Sequence, residues 1–168
     1  AADPDQLREN ITRVLLAGAV GINFEDQVVG TDQLYDLSVQ SERIQAIRET
    51  ADEKGIPLFI NARTDLFLKN KPEVHASLLE EAIERARAFA DAGASSFFAP
   101  ALVDPALTKQ LCEASPIPIN ILIWPGVPTP QELAELGVAR ISYGSRPYFV
   151  FMEAFKEAAG EALAFNAS

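Results

Sequence analysis

Four glycines set the frame of this chain. Gly18, Gly55, Gly93 and Gly137 each close a stretch whose apolar residues recur at helical spacing, and each is followed within a few residues by a short strand-like run. Strands are expected to begin near residues 20, 57, 95, 117 and 138, with helices between them and no hairpin signal, so neighbouring strands must run parallel. Two architectures satisfy that order, an open doubly wound sheet and a TIM-type (β/α)8 barrel. A dinucleotide-binding sheet would carry a glycine fingerprint after its first strand, and none stands there. The barrel is favoured.

The helices read as 4–18, with Leu7, Ile11, Val14 and Leu15 inward and Asp3 or Asp5 as cap, and 41–54, with Ser38 or Ser41 as cap. Next come 77–92, built on Leu79, Ala82, Ile83, Ala86 and Phe89, then 105–114, 130–136 and 147–164. The Pro and β-branched residues of 117–124 exclude a helix there.

The first two strands are not apolar on both faces. Ile22 and Phe24 alternate with Asn23 and Glu25, while Leu58, Ile60 and Ala62 alternate with Asn61, Arg63 and Asp65. Both carry their polar groups toward the same end, the C-terminal edge where parallel α/β folds bind ligands. On residue type alone, Arg63 and Asp65 could equally be a structural ion pair, Glu25 an exposed strand-end carboxylate, and Asn23 and Asn61 polar fillers of a barrel layer. His75 reads as a solvated loop residue, and Trp124 as packing on the rim.

At 168 residues and 48% hydrophobic content, one soluble globular domain is expected. A net charge of −10 without a Lys/Arg cluster argues against a nucleic-acid partner. No run of about 18 apolar residues is free of charge, which leaves no membrane span, and residues 1–5 lack a signal peptide's basic and apolar regions. The single Cys112 has no internal partner and reads as a buried, inert thiol, so a reducing, cytoplasmic setting is expected.

Gly21-Ile22-Asn23-Phe24-Glu25-Asp26-Gln27, together with Asn61-Ala62-Arg63-Thr64-Asp65, resembles the isocitrate lyase / phosphoenolpyruvate mutase superfamily. Ala92-Gly93-Ala94, Pro125-Gly126 and Leu136 to Ser142 extend the resemblance over nearly the whole chain. It implies a Mg²⁺-dependent barrel that makes or breaks a C–C or P–C bond of a small α-keto acid or phosphonate through an enolate. In that reading Arg63 grips the anionic group, Glu25 stands in the metal's outer shell, and Asn23 and Asn61 contact substrate. The loop at 26–37, with Asp26, Gly30, Thr31 and Asp32, would gate the site. Assembly as a dimer or tetramer is implied, with residues 147–164 and their Phe149, Met152 and Phe155 as a contact surface.

The chain also departs from that pattern. Its five strands match the superfamily's fourth to eighth, so residues 1–168 are expected to be the C-terminal part of a barrel whose first three units, with the metal-ligating aspartates, are absent. Loop 26–37 has no Cys, and Pro100 stands where the isocitrate-cleaving branch tends to have Glu. Both differences point toward the mutase, phosphonopyruvate hydrolase and oxaloacetate decarboxylase-like members. The alternative is a catalytically incomplete barrel that serves as a binding or assembly module.

Overall fold

The computed structural model describes residues 3–165; Ala1 and Ala2, part of the stretch read for a leader sequence, lie outside them. In chain order the elements are α1 (Pro4–Leu16), β1 (Gly21–Glu25), α2 (Leu37–Glu53), β2 (Phe59–Arg63) and α3 (His75–Asp91), the last preceded by a 3₁₀ turn at Pro72–Val74. Then follow β3 (Ser96–Phe98), α4 (Pro105–Ala114), β4 (Ile119–Leu122), α5 (Pro130–Glu135), β5 (Arg140–Ser142) and α6 (Arg146–Phe165). The five strands form one sheet in the order β1-β2-β3-β4-β5, every pair parallel. Such an arc of consecutive βα units is what part of a TIM-type barrel looks like.

Local chemistry explains the element boundaries. Asp3 caps α1 by accepting from the Gln6 amide at 2.8 Å, Asp104 caps α4 in the same way, and Thr129 with Glu132 forms a capping box on α5. The expected cap of α2 is corrected: the helix starts at Leu37, Asp36 stands at its N-cap without a side-chain bond, and the Ser41 hydroxyl donates to the Leu37 carbonyl within the helix. Gly93 ends α3 at φ +97°, and a Cβ there would lie 2.8 Å from the Arg48 side chain. Only glycine allows that approach, through which the Arg48 guanidinium donates to the Gly93 and Leu58 carbonyls and ties α2 to the start of β2.

The sheet has two unlike faces. Ile60, Ala62, Phe97, Ile119 and Ile121 pack under the helices with Ile44, Ile47, Ala82, Phe89 and Leu111, all buried. The opposite parity carries Asn23, Asn61, Ser96, Arg63, Asn120, Arg140 and Ser142. The apolar face supplies the stabilising burial, and the polar face holds the candidate site.

Two residues stand where the sequence did not place them. His75 opens α3 and is 1% exposed, its ring folded back so that Nε2 lies 3.0 Å from both the Phe67 and Asn70 carbonyls and its edge meets Phe67. It staples the β2–α3 loop rather than facing solvent. Trp124, expected to pack on the rim, is more than half exposed and lines an apolar groove of about 680 Å³ with Tyr143, Phe149 and Val150, while the 20-residue α6 leaves Phe149, Phe151 and Phe155 uncovered, in keeping with the contact surface expected there.

Candidate functional site

The β1–β2 register sets Asn23 opposite Asn61 and Glu25 opposite Arg63 on the polar face. The Arg63 guanidinium is held on three sides. Its Nε and Nη2 donate to the two oxygens of Asp65 at 2.6 and 3.0 Å, and Nη1 lies 3.2 Å from Glu25. The structure thus contains the Arg63–Asp65 ion pair, and the same guanidinium also reaches across the seam to Glu25. This places two carboxylates on one cation.

A second, deeper layer supports that fork. The Asp65 backbone N–H donates to Asp26 Oδ1 at 2.9 Å, and Arg85 of α3 donates to Asp26 Oδ2 at 3.2 Å and to the Tyr35 carbonyl at 3.3 Å. Asp26 is fully buried, and burial pushes its carboxyl above the ordinary carboxylate range against the opposing pull of Thr64, the Asp65 N–H and Arg85. Asp26 is thereby set apart from Gly30, Thr31 and Asp32, which are exposed at the loop's tip. It is a fixed post at the loop's base, because a carboxylate held by two elements cannot swing with the tip. The loop's neck is closed by the Gln27–Leu34 bridge and by the Tyr35 N–H donating to the Asp26 carbonyl, while at the tip Asp32 pairs with Lys69 at 3.0 Å.

Beside the fork lies a cleft of about 380 Å³, lined by Asn23, Asn61, Arg63, Phe98, Arg140 and Ser142 among others. The Ser96 hydroxyl donates to Asn61 Oδ1 at 2.6 Å and the Asn61 amide donates to Asn23 Oδ1 at 3.0 Å, a chain of bonds that leaves the Asn23 amide as its free donor end. Asn120 is different: fully buried on β4 between Phe98 and Arg140 in the register, its amide nitrogen and oxygen both lack a partner. A buried amide with neither atom satisfied is costly unless a ligand completes it.

Sequence reasoning missed Asn120, although its place in Ile119-Asn120-Ile121 carries the same alternation signal as Asn23 and Asn61. It also missed Arg85, whose neighbours Ala82, Ala86 and Phe89 are all buried and so mark a charge on a covered helix face. Among the described residues no group of three His, Cys, Asp or Glu side chains converges on one point. Glu25, part exposed at the cleft's edge, fits an outer-shell place beside a hard cation, but the described residues do not make up an inner shell of oxygen ligands. Cys112 stands apart from the cleft on α4, and burial pushes its thiol up to about 11, which keeps it protonated at neutral pH.

Comparison with known proteins agrees with this geometry. The chain is 35% identical over 157 residues to an uncharacterised protein of Mycobacterium tuberculosis, covering 94% of this chain and 55% of that protein. It is 33% identical over 142 residues to 2-methylisocitrate lyase of Escherichia coli, covering 79% and 46%. Its fold matches a solved Burkholderia cenocepacia protein assigned as a phosphonomutase with TM-score 0.91 and 43% identity, covering 95% and 64%. At 18% identity and TM-score 0.77, a phosphonopyruvate hydrolase solved with oxalate and Mg²⁺ shares the fold, covering 95% of this chain and 56% of that one. The chain spans about half the length of the curated relatives it matches. The phosphoenolpyruvate phosphomutase family model matches residues 1–163, and the chain belongs to that family, within the superfamily of lyases and mutases that its relatives represent.

Proposed function

We propose that the protein of which these residues form the C-terminal barrel units, the fourth to eighth strands, is a Mg²⁺-dependent lyase or phosphonomutase acting on a small α-keto acid or phosphonate. The observation that carries the reading is the Arg63 fork: a guanidinium fixed in plane by Asp65, at the edge of a cleft whose other polar side chains are the amides of Asn23 and Asn61, the hydroxyls of Ser142 and Ser145, and a second guanidinium, Arg140. Arg63 offers its remaining N–H groups to a carboxylate or phosphonate in a bidentate way that Lys could not. The free Asn23 amide, which lines the cleft, supplies a donor to a substrate oxygen, with Asn61 as the link that orients it. Charge that develops on that oxygen as a C–C or P–C bond breaks is then met by fixed donors in a site poor in water.

Mg²⁺, when bound, would add Lewis-acid stabilisation of the same charge, with Glu25 in its outer shell. Glu25 also holds Arg63 in place from the β1 side. The tip of loop 26–37, with Gly30, Thr31 and Asp32, closes over the cleft from the Asp26 post, excluding water while the reaction proceeds. With no Cys in that loop and Pro100 on the cleft wall, the reading favours the hydrolase, decarboxylase or mutase type over isocitrate cleavage.

The same proposal includes a homo-oligomer in which α6 contacts another copy, supported by its uncovered Phe149, Phe151 and Phe155. No helix among the described residues is long and apolar enough to cross a membrane, and a cytoplasmic site of action fits the unpaired Cys112. Turnover of oxaloacetate, phosphonopyruvate and methylisocitrate, each with and without Mg²⁺, tests the activity. Arg63→Ala is expected to abolish whichever activity is found, by about 10³-fold or more, since it removes the anion's fixed cation. A variant that keeps its activity would reject the assignment.

A further inference from the structure

Arg63 faces two carboxylates, and one of them, Asp65, is fully buried. A single guanidinium does not need two counter-charges. Asp65 therefore has one of two jobs: it balances charge, or it sets direction. The geometry points to the second.

Both Asp65 oxygens are engaged, one by Nε and one by Nη2, which fixes the guanidinium plane as well as its distance. Asp65 itself is not free to follow Arg63, because its backbone N–H is bound to Asp26 and Asp26 is bound to Arg85 on α3. Arg85 is anchored in turn by Glu81, at 3.0 Å through Nε and 2.9 Å through Nη2. Three of these side chains, Asp65, Asp26 and Arg85, are 7% exposed or less, so the scaffold is rigid where the guanidinium it carries is part exposed.

Resting on the reading of the cleft given above, we infer that Asp65 is a positioning residue, held by the Asp26–Arg85 pair, that aims the Arg63 guanidinium at the substrate anion. The sign of two substitutions separates this from charge balance. Asp65→Asn removes the negative charge at nearly constant shape: a charge-balancing carboxylate, once lost, leaves Arg63 more positive and tightens anion binding, whereas a positioning carboxylate, once lost, loosens it. Asp65→Glu keeps the charge but moves it by one methylene, so charge balance predicts no change and positioning predicts loosening.

Oxalate is the probe, titrated calorimetrically with Mg²⁺ present, and side-chain ¹⁵N NMR of the Arg63 Nε–H reports the guanidinium's order with no ligand bound. Both variants are expected to weaken oxalate binding about tenfold or more and to drop the Arg63 Nε–H order parameter clearly below its wild-type value, while thermal melts show a folded protein. An Arg63 side chain that stays ordered in both variants overturns the inference, as does tighter or unchanged oxalate binding. Arg63→Ala is the separate control. If it binds oxalate as well as the wild type, the reading of the cleft itself fails, whichever way the Asp65 variants behave.

Discussion

Asn61 donates to Asn23 across the β1–β2 seam at 3.0 Å, and its own oxygen accepts the Ser96 hydroxyl at 2.6 Å. Asn120, two strands further along the same face, makes no such bond. The two amides should respond oppositely to one substitution. Asn61→Leu strands the buried Ser96 hydroxyl and frees the exposed Asn23 amide, and is expected to cost about 1–3 kcal/mol, whereas Asn120→Leu removes two unsatisfied atoms and is expected to be neutral or slightly stabilising. Urea denaturation of both variants checks this. A large loss of stability in Asn120→Leu would show that its amide is satisfied in the folded protein.

Asp26 gives a pH dependence whose sign can be worked out. Burial, the largest influence, raises its folded-state value above the ordinary 3.8, so the folded protein holds this proton more tightly than the unfolded chain. Its contribution to stability is complete below the unfolded value and is lost as pH rises through the folded one. The stability of wild type minus that of Asp26→Asn should therefore fall as pH is raised through and above the ordinary carboxylate range. A difference that stays flat, or rises, would mean the Arg85 pairing outweighs burial.

Packing of the His75 ring makes a second stability test. His75→Ala empties a site that is 1% exposed and frees the Phe67 and Asn70 carbonyls, so a loss of about 2–4 kcal/mol is expected, with faster proteolysis in residues 66–74. A solvated histidine would cost under about 0.5 kcal/mol. Chemical denaturation distinguishes the two values directly.

The uncovered helix makes a prediction about assembly. Phe151 and Phe155 are 66% and 59% exposed on α6. If another copy covers them, Phe151→Glu with Phe155→Glu should lower the particle mass seen by light scattering to that of one chain, since a buried charge without a partner disfavours the contact. An oligomer that survives both changes would place the contact elsewhere.

The fold was largely legible because it depends on alternation and on stops. The glycine-closed helices and the parity of Ile22, Phe24, Ile60 and Ala62 dictate parallel strands with a covered face, and the strands formed where that pattern lay. Helix starts were less legible at α2, where Ser38 and Ser41 are good caps by residue type but the chain turns helical four residues earlier. The site was half legible. Glu25 and Arg63 declare themselves by position, but the Asp26–Arg85 pair joins residues 59 apart in the chain, a contact no local pattern encodes. His75 failed for a related reason: polarity predicts exposure only for a residue whose neighbours are known.

Spatial order in the sheet repeats the order in which the residues are synthesised, each strand lying beside the one made just before it. Within these five strands, a nascent chain emerging from the ribosome does not have to hold one strand in reserve for a neighbour still untranslated. Accretion of this kind keeps loop closures short and shields every new hydrophobic run soon after it appears, so assembly can proceed vectorially at the pace of translation.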